Sequence, residues 1–415
     1  MKKISAVLIG AGQRGADAYA LYALSFPLEL EFVAVAEPRK DRREEFAKLH
    51  NIASENVFES YDELLAQKKL ADCAFICTQD RDHFNPVMRA LELGYHVLCE
   101  KPMSTDLTEM REMEKQARKY DRVLSICHVL RYSPFFTQIK KIIDSGQIGK
   151  IVSFQHREGV GYYHAAHSFV RGNWNNSDVS CPMILAKCCH DIDILSFLIG
   201  SKCKRVSSFG ALNYFKAENA PEGAPLRCLD GCPERDTCPY YAPRFYLEHP
   251  RAKIDNFIHV VSSDLSPKGI MEALKTGPYG RCVFHCDNNV VDHQIVNLEY
   301  DNGVTASLMM TAFSLNCERE LTIGGTLGEI KANMDESIIK IADFTTGNTT
   351  QINVVAPENG HGGSDNSMIK AFVKLVGVDG KGENKTDISV SVESHVVALY
   401  AEKSRLAHGA VIDID

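Results

Sequence analysis

The sequence predicts an α/β chain, with a helix-wound parallel sheet in its first third and a mostly antiparallel sheet after that. Three observations carry this expectation. A glycine-rich turn directly follows the first apolar run. Apolar runs then alternate with amphipathic helical periods as far as residue 128. Beyond residue 200 the apolar pattern shifts toward period two.

Taken in order, Ile4–Ile9 is the first strand, and Gly10-Ala11-Gly12-Gln13-Arg14-Gly15 opens a helix over 13–25. A second strand, Leu30–Ala36, ends at Glu37. Together these form the G-x-G-x-x-G fingerprint of a dinucleotide-binding Rossmann unit, with an acidic residue about 20 positions on. The first glycine permits the tight turn and the second lets the backbone approach a pyrophosphate. The third packs helix against strand, so that the helix N-terminus faces the phosphates. Glu37 is placed to accept from two ribose hydroxyls. A 2′-phosphate there would meet a like charge, which favours NAD, while Arg39 keeps NADP open.

Further strands at 73–77, 95–99 and 123–128 complete the sheet, with helices at 39–50, 61–67, 83–93 and 107–119. Ligands in such sheets sit beyond the C-terminal strand ends. One rim therefore gathers Gly10, Glu37, Thr78, Glu100-Lys101-Pro102 and His128, with His83 and Arg131 close behind. Thr78, His83, Glu100 and Lys101 are expected toward cofactor, and His128 and Arg131 toward substrate. The dinucleotide domain is assigned to 1–128 and a substrate and oligomerisation domain to 129–415.

In the second part, a helix from Pro134 to Asp144 leads through Gly146 and Gly149 into a strand at 151–156. The stretch 159–180 is rich in Tyr, His, Asn and Gly and holds the only Trp. Tyr162, His164, His167, Arg171, Asn173 and Trp174 offer an aromatic face with hydrogen-bonding groups, which suits a sugar ring. The plain alternative is an exposed loop. A helix at 184–199 carries Lys187, His190, Asp191 and Asp193. Alternating segments at 205–213, 291–300, 305–313, 320–323 and 329–334 supply the antiparallel sheet. His293 opens one of them, and His361 sits in a glycine-rich loop at 357–365 placed to cap the same cavity. A helix at 387–408 closes the pattern. An insertion at 216–287 holds five cysteines, Cys228, Cys232, Cys238, Cys282 and Cys286. Cys228, Cys232, Cys238 and Cys282, with Cys286 as an alternate, are the candidate ligands of a structural zinc, with buried free thiols or an iron–sulfur cluster as the alternatives.

A net charge of −8 argues against nucleic acid or an anionic membrane as partner. The first apolar run is short and is followed by Arg14 and Asp17, so it reads as a strand rather than an export signal. Fourteen cysteines without such a signal point to a reducing cytoplasm.

The fingerprint, Thr78 with His83, Glu100-Lys101-Pro102, the helical His190-Asp191-Ile192-Asp193 and Gly325-Thr326-Leu327-Gly328-Glu329-Ile330 together resemble the Gfo/Idh/MocA family. The resemblance covers nearly the whole chain, and Glu-Lys-Pro is its most specific part. It implies NAD(P)-dependent oxidoreductase activity on sugars, polyols or their derivatives. It also implies a large open C-terminal sheet that pairs subunits into a homodimer or homotetramer. Lys101 is then the lysine that touches nicotinamide ribose and substrate, and His190 the proton carrier.

Hydride transfer from a carbinol needs just such a base and a cation beside the developing alkoxide. The sequence departs from the family at Ala186, where many members carry an Asp, and offers Lys187 three residues before His190. A second lysine would depress the His190 pKa or bind substrate oxygen. Two rivals stay open: a redox-neutral NAD-dependent glycosidase or lyase, and a non-catalytic NAD-binding regulator.

Overall fold

The computed structural model describes residues 2–355 and 360–414, with side chains from 363 in the second segment. The first sheet has six strands in the order β3-β2-β1-β4-β5-β6, every pair parallel. These are β1 (Ile4–Ile9), β2 (Leu30–Ala36), β3 (Val57–Phe58), β4 (Cys73–Ile76), β5 (His96–Cys99) and β6 (Leu124–Ile126). Helices cover both faces, so β4 and β5 are buried at every position and read as continuous apolar runs. The expected strands are present; β3, two residues long, is too short to leave a periodic signal. Strand order reverses between β1 and β4, which opens a crevice at their C-terminal ends.

The second sheet has nine strands in the order β14-β13-β12-β11-β7-β10-β9-β8-β15. They are β7 (Ile151–Gly159), β8 (Cys203–Ala211), β9 (His293–Tyr300), β10 (Thr305–Thr311), β11 (Glu318–Gly325), β12 (Gly328–Asn333), β13 (Ile338–Asp343), β14 (Thr349–Asn353) and β15 (Ile412–Asp413). All pairs are antiparallel except β7 with β10. The helices Cys189–Ile199 and Ile388–Leu406 pack on one face. On that face Glu158 of β7, Met310 of β10 and Gln294 of β9 lie in register, while the residues between them point the other way.

Three local departures matter for the site. The helix expected over 184–199 is two pieces, Met183–Ala186 and Cys189–Ile199, with a turn at Lys187 and Cys188. Residues 360–365, expected as loop, begin the helix Gly360–Gly377, and Asp365 there is buried on Arg14 at 3.0 Å. The stretch after β7 is not an exposed loop. It coils into the turns Tyr162–His164 and Ala165–Arg171, whose last seven residues are all buried.

Both C-terminal helices return to the first sheet. Phe372 meets Phe75 edge-on at 5.7 Å, and Ile388, Val392 and Val396 join the core beside β4 and β5. The insertion forms short helices, Ala242–Glu248, Pro250–Ile254, Phe257–Val261 and Pro267–Thr276, around an apolar cluster that includes Tyr163. Among the described residues no helix is long and apolar enough to cross a membrane.

Candidate active site

The glycine turn has the shape a pyrophosphate needs. Gly10 sits at φ +90°, and a Cβ there would lie 2.5 Å from the Cys77 carbonyl oxygen. A Cβ on Gly15 would come within 2.3 Å of the Gly10 carbonyl oxygen, which fixes helix against strand. At Gly12 a Cβ would meet only the Arg42 guanidinium, at 3.6 Å, so the turn is open on the side where phosphates approach. Glu37 accepts from the backbone N–H of Ala11 at 2.9 Å and of Arg39 at 3.0 Å, which orients its carboxylate at the end of β2. The Arg39 guanidinium is paired with Asp41 at 2.6 Å in the open. These residues fit a dinucleotide. The Gln13 amide donates to the Asp255 carbonyl at 3.3 Å, and the Thr78 hydroxyl donates to the Asp82 carbonyl at 3.0 Å.

Arg14 does not face outward. It donates to Glu100 at 2.9 Å, to Tyr19 at 2.7 Å and to Asp365. Burial would raise the Glu100 carboxyl, but Arg14 and Lys101 outweigh it and hold it below the usual carboxylate range. Glu100 in turn accepts the Lys101 backbone N–H at 2.6 Å. His83, expected at the cofactor, is buried with its ring nitrogens 2.8 Å from the Pro102 carbonyl and 3.2 Å from that of Thr78. It staples the strand ends of β4 and β5. One residue further, the Met103 N–H donates to His395 Nε2 at 3.1 Å. The Lys101 turn is thus held by Glu100, His83 and His395.

From this turn Lys101 crosses to the second half of the chain, and its Nζ donates to the Ala186 carbonyl at 2.9 Å. Ala186 ends the helix Met183–Ala186, where carbonyls lack an intrahelical partner. His190 lies in the first turn of the helix that follows, buried, with its ring 6.0 Å from that of His128. Because the helix is broken at residue 187, Lys187 does not share one regular helical face with His190. Its ammonium pairs with Glu158 at 3.2 Å; burial pulls its pKa down, and Glu158 together with Cys317 and Asp191 more than restores it. Glu158 also meets Arg319 at 3.0 Å, and Arg319 reaches Asp191 at 2.8 Å, where His156 binds at 2.8 Å. Burial raises the Glu158 carboxyl, against Arg319. This buried alternation of charges was not anticipated at Glu158 and Arg319. The period-two spacing of His156 and Glu158 was the available signal, since it puts both on one face of β7.

Several expected substrate ligands are committed elsewhere. Arg131 is a buried fork on Asp193 at 2.7 and 2.8 Å, and His128 Nδ1 meets the same carboxylate at 2.6 Å. Burial would raise Asp193, but Arg131 and His128 hold it well below the usual range. Arg171 donates to the carbonyls of Arg281 and Tyr240, each at 2.7 Å. His167 is stacked between Phe257 at 4.2 Å and Tyr279 at 4.6 Å, with Nδ1 on the Tyr246 hydroxyl at 2.8 Å; burial depresses its pKa to about 3. Trp174 donates from Nε1 to Asp80 at 2.8 Å, while Asn173 is exposed. His293 pairs with Asp292 at 2.7 Å and, at an alternate position of β9, points to the face opposite Glu158. His361 lies outside the residues whose side chains are described. Tyr162 is half-buried beside His249, 3.5 Å away. His164, which faces Cys317 at 3.4 Å, has its pKa pushed far down by burial, then by Lys187 and His167.

The cysteines of the insertion share one corner. Arg227 and Arg281 form a bridge that sets Cys228 beside Cys282, yet Cys228 faces the Arg171 guanidinium at 3.7 Å and Cys286 donates to the Cys282 carbonyl at 3.3 Å. Among the described residues, the ligand-type trio whose atoms lie within 4.8 Å of one another is His128, Cys189 and His395, not the thiols expected to hold zinc. As placed, Cys228, Cys232, Cys238, Cys282 and Cys286 do not fit a tetrahedral site. The histidine trio does not fit one either, because His395 donates from Nδ1 to the Ser391 carbonyl at 2.8 Å and accepts at Nε2 from Met103.

Comparison with known proteins agrees with this geometry. Residues 4–128 match the oxidoreductase family with an NAD-binding Rossmann fold, Gfo/Idh/MocA, and residues 140–405 match its C-terminal alpha/beta domain. The putative oxidoreductase YteT of Bacillus subtilis is 28% identical over 330 residues, 75% of this chain and 74% of that protein. An oxidoreductase domain protein from Kribbella flavida superposes with a TM-score of 0.74 at 15% identity, covering 100% of both chains. A levoglucosan dehydrogenase in complex with NADH and levoglucosan superposes with a TM-score of 0.73 at 16% identity, covering 99% of both. Matched over both its domains, with the cofactor turn intact, the chain belongs to the Gfo/Idh/MocA family and is an NAD-binding oxidoreductase.

Proposed function

We propose that the chain is a dehydrogenase that moves hydride between a hydroxyl-bearing carbon of a sugar or polyol derivative and NAD. The observation that carries this reading is the reach of Lys101 from the cofactor rim to Ala186, four residues before His190. The ammonium has three N–H donors, and Ala186 takes one, which leaves donors for a substrate oxygen. Bound nicotinamide supplies the hydride acceptor. Lys101 steadies the developing alkoxide and His190 takes the hydroxyl proton, a task worth roughly 10²–10⁴ in rate for a placed imidazole. Lys187, kept charged by Glu158, offers a second cation to substrate oxygen. The similarity to a levoglucosan dehydrogenase supports a carbohydrate substrate. Glu37 at the ribose position, with Arg39 engaged by Asp41, supports NAD over NADP.

The test is NADH absorbance with product analysis, using NAD and a panel of polyols, aldoses, uronic acids and aryl glycosides. NADH rising in step with product is the expected outcome. Product without NADH would replace this reading with redox-neutral glycoside cleavage or elimination.

A further inference from the structure

The insertion does more than decorate the second half. At its tip, Asn256 takes a left-handed φ of 61° and reverses the chain between the helices Pro250–Ile254 and Phe257–Val261. The reversal sets Asp255 against the cofactor turn, where its carbonyl accepts from Gln13 at 3.3 Å. On the other side Arg251 Nε donates to the Tyr163 hydroxyl at 2.9 Å, and that hydroxyl lies 3.4 Å from Cys317, the partner of His164. The tip therefore touches the cofactor turn and the wall that carries Tyr163, Cys317 and His164, with the Lys187 charge near enough to act on Asp255.

The Asp255 carboxylate is poorly served where it stands. Its Oδ2 is 3.1 Å from Arg251 Nε, but the single N–H on that nitrogen is directed to Tyr163. Oδ2 is buried without a hydrogen-bond donor. Burial raises its pKa against Arg251 and Lys187. A carboxylate in this condition gains from hydroxyl donors, because a buried acceptor left unmatched is unfavourable.

We infer that Asp255, presented by the insertion, is a substrate-recognition residue whose carboxylate accepts hydrogen bonds from ring hydroxyls of a neutral carbohydrate. This rests on the dehydrogenase reading above. Arg251 fixes the position of Asp255 and has its own charge matched, so a substrate carboxylate would meet Asp255 as a like charge. Uncharged aldoses and polyols are favoured over uronic acids as a result.

The test compares wild type with Asp255→Asn, using NAD and the best neutral substrate of the panel. A rise in KM of at least tenfold is expected, with a narrowed preference for neutral over acidic sugars. NAD affinity should stay within twofold. An unchanged KM and preference would overturn the inference and leave the dehydrogenase reading standing. Loss of NAD affinity in equal measure would overturn it too, making Asp255 part of the cofactor strap. A wild type silent on the whole panel would remove the dehydrogenase reading and this inference with it. If Asp255→Asn does not fold, judged by melting temperature, Asp255→Ser takes its place with the same expected outcomes.

Discussion

The cofactor rim and the stretch after β7 are alike in composition and opposite in use. Both hold arginine, histidine and aromatic residues beside glycines. On the rim, Glu37 and the Lys101 backbone stand at strand ends and are held first by groups near them in sequence or on the next strand, with His395 and Ala186 the distant exceptions. After β7, His167 and Arg171 face partners about 70–110 positions away, all in the insertion: Tyr246, Tyr240 and Arg281. One region sets its polar groups at the crevice where the strand order reverses, while the other uses the same groups to hold a second piece of protein. Polar and aromatic composition alone does not tell these apart, because a sugar and a folded insertion ask for the same hydrogen bonds and ring faces.

Substitution separates the two. The largest effect is expected on the rim, where Lys101→Met removes the cation while leaving the Glu100 contact to the backbone N–H in place. Turnover should fall by roughly 10²–10⁴, with NAD affinity and melting temperature little changed. Steady-state kinetics beside a fluorescence titration of NADH decide it. Parallel loss of cofactor binding would mean that Lys101 holds the dinucleotide rather than the reacting oxygen.

In the second region the order of effects reverses. Arg171→Met leaves the Arg281 and Tyr240 carbonyls without their donors, and Arg171 itself is 2% exposed. The expected cost is about 2–4 kcal/mol of stability. Limited proteolysis should then cut within 216–287 well before the rest of the chain, while NADH titration is unaffected. A variant that keeps its stability and loses only sugar affinity would return Arg171 to the ligand set.

The same distinction explains what could be read in advance. The parallel sheet, the fingerprint turn and the Lys101 step were legible because each rests on a local rule: strand, tight glycine turn, helix N-terminus, strand-end position. The break at Lys187 was not legible, since apolar spacing runs through 184–199 without interruption and the turn shows only in the backbone. His395 offered no local signal at all; its role comes from a helix near the end of the chain folding back to catch the Met103 N–H. His293 shows a third kind of difficulty, because a strand's period places it on one of two faces without saying which face the site occupies. Cys228 and Cys282, expected as zinc ligands, lie on bridged segments, yet that corner is held by Arg171 and backbone bonds.

The smallest effect is the one that pH exposes. His167 has a folded pKa of about 3 against an ordinary value of 6.5, caused by burial between two aromatic rings and then by Arg171. The native state keeps the ring neutral, and only the unfolded chain takes up the proton as pH falls. Its contribution is therefore complete above pH 6.5 and is lost progressively from there down to about 3. At pH 5.5 one such group has given up about 1.4 kcal/mol. His395, also near 3, behaves alike, as do His50 at about 4 and the buried His164, so wild type should weaken by more than the His167 share between pH 7.5 and 5.5. His167→Phe keeps a ring between Phe257 and Tyr279 but has nothing to protonate. It loses the Tyr246 partner at every pH, so the comparison is of slopes: urea unfolding at the two pH values should show the variant losing about 1.4 kcal/mol less than wild type. Equal losses would place the His167 ring in water rather than at the base of the insertion. The stretch after β7 would then again be open to a sugar.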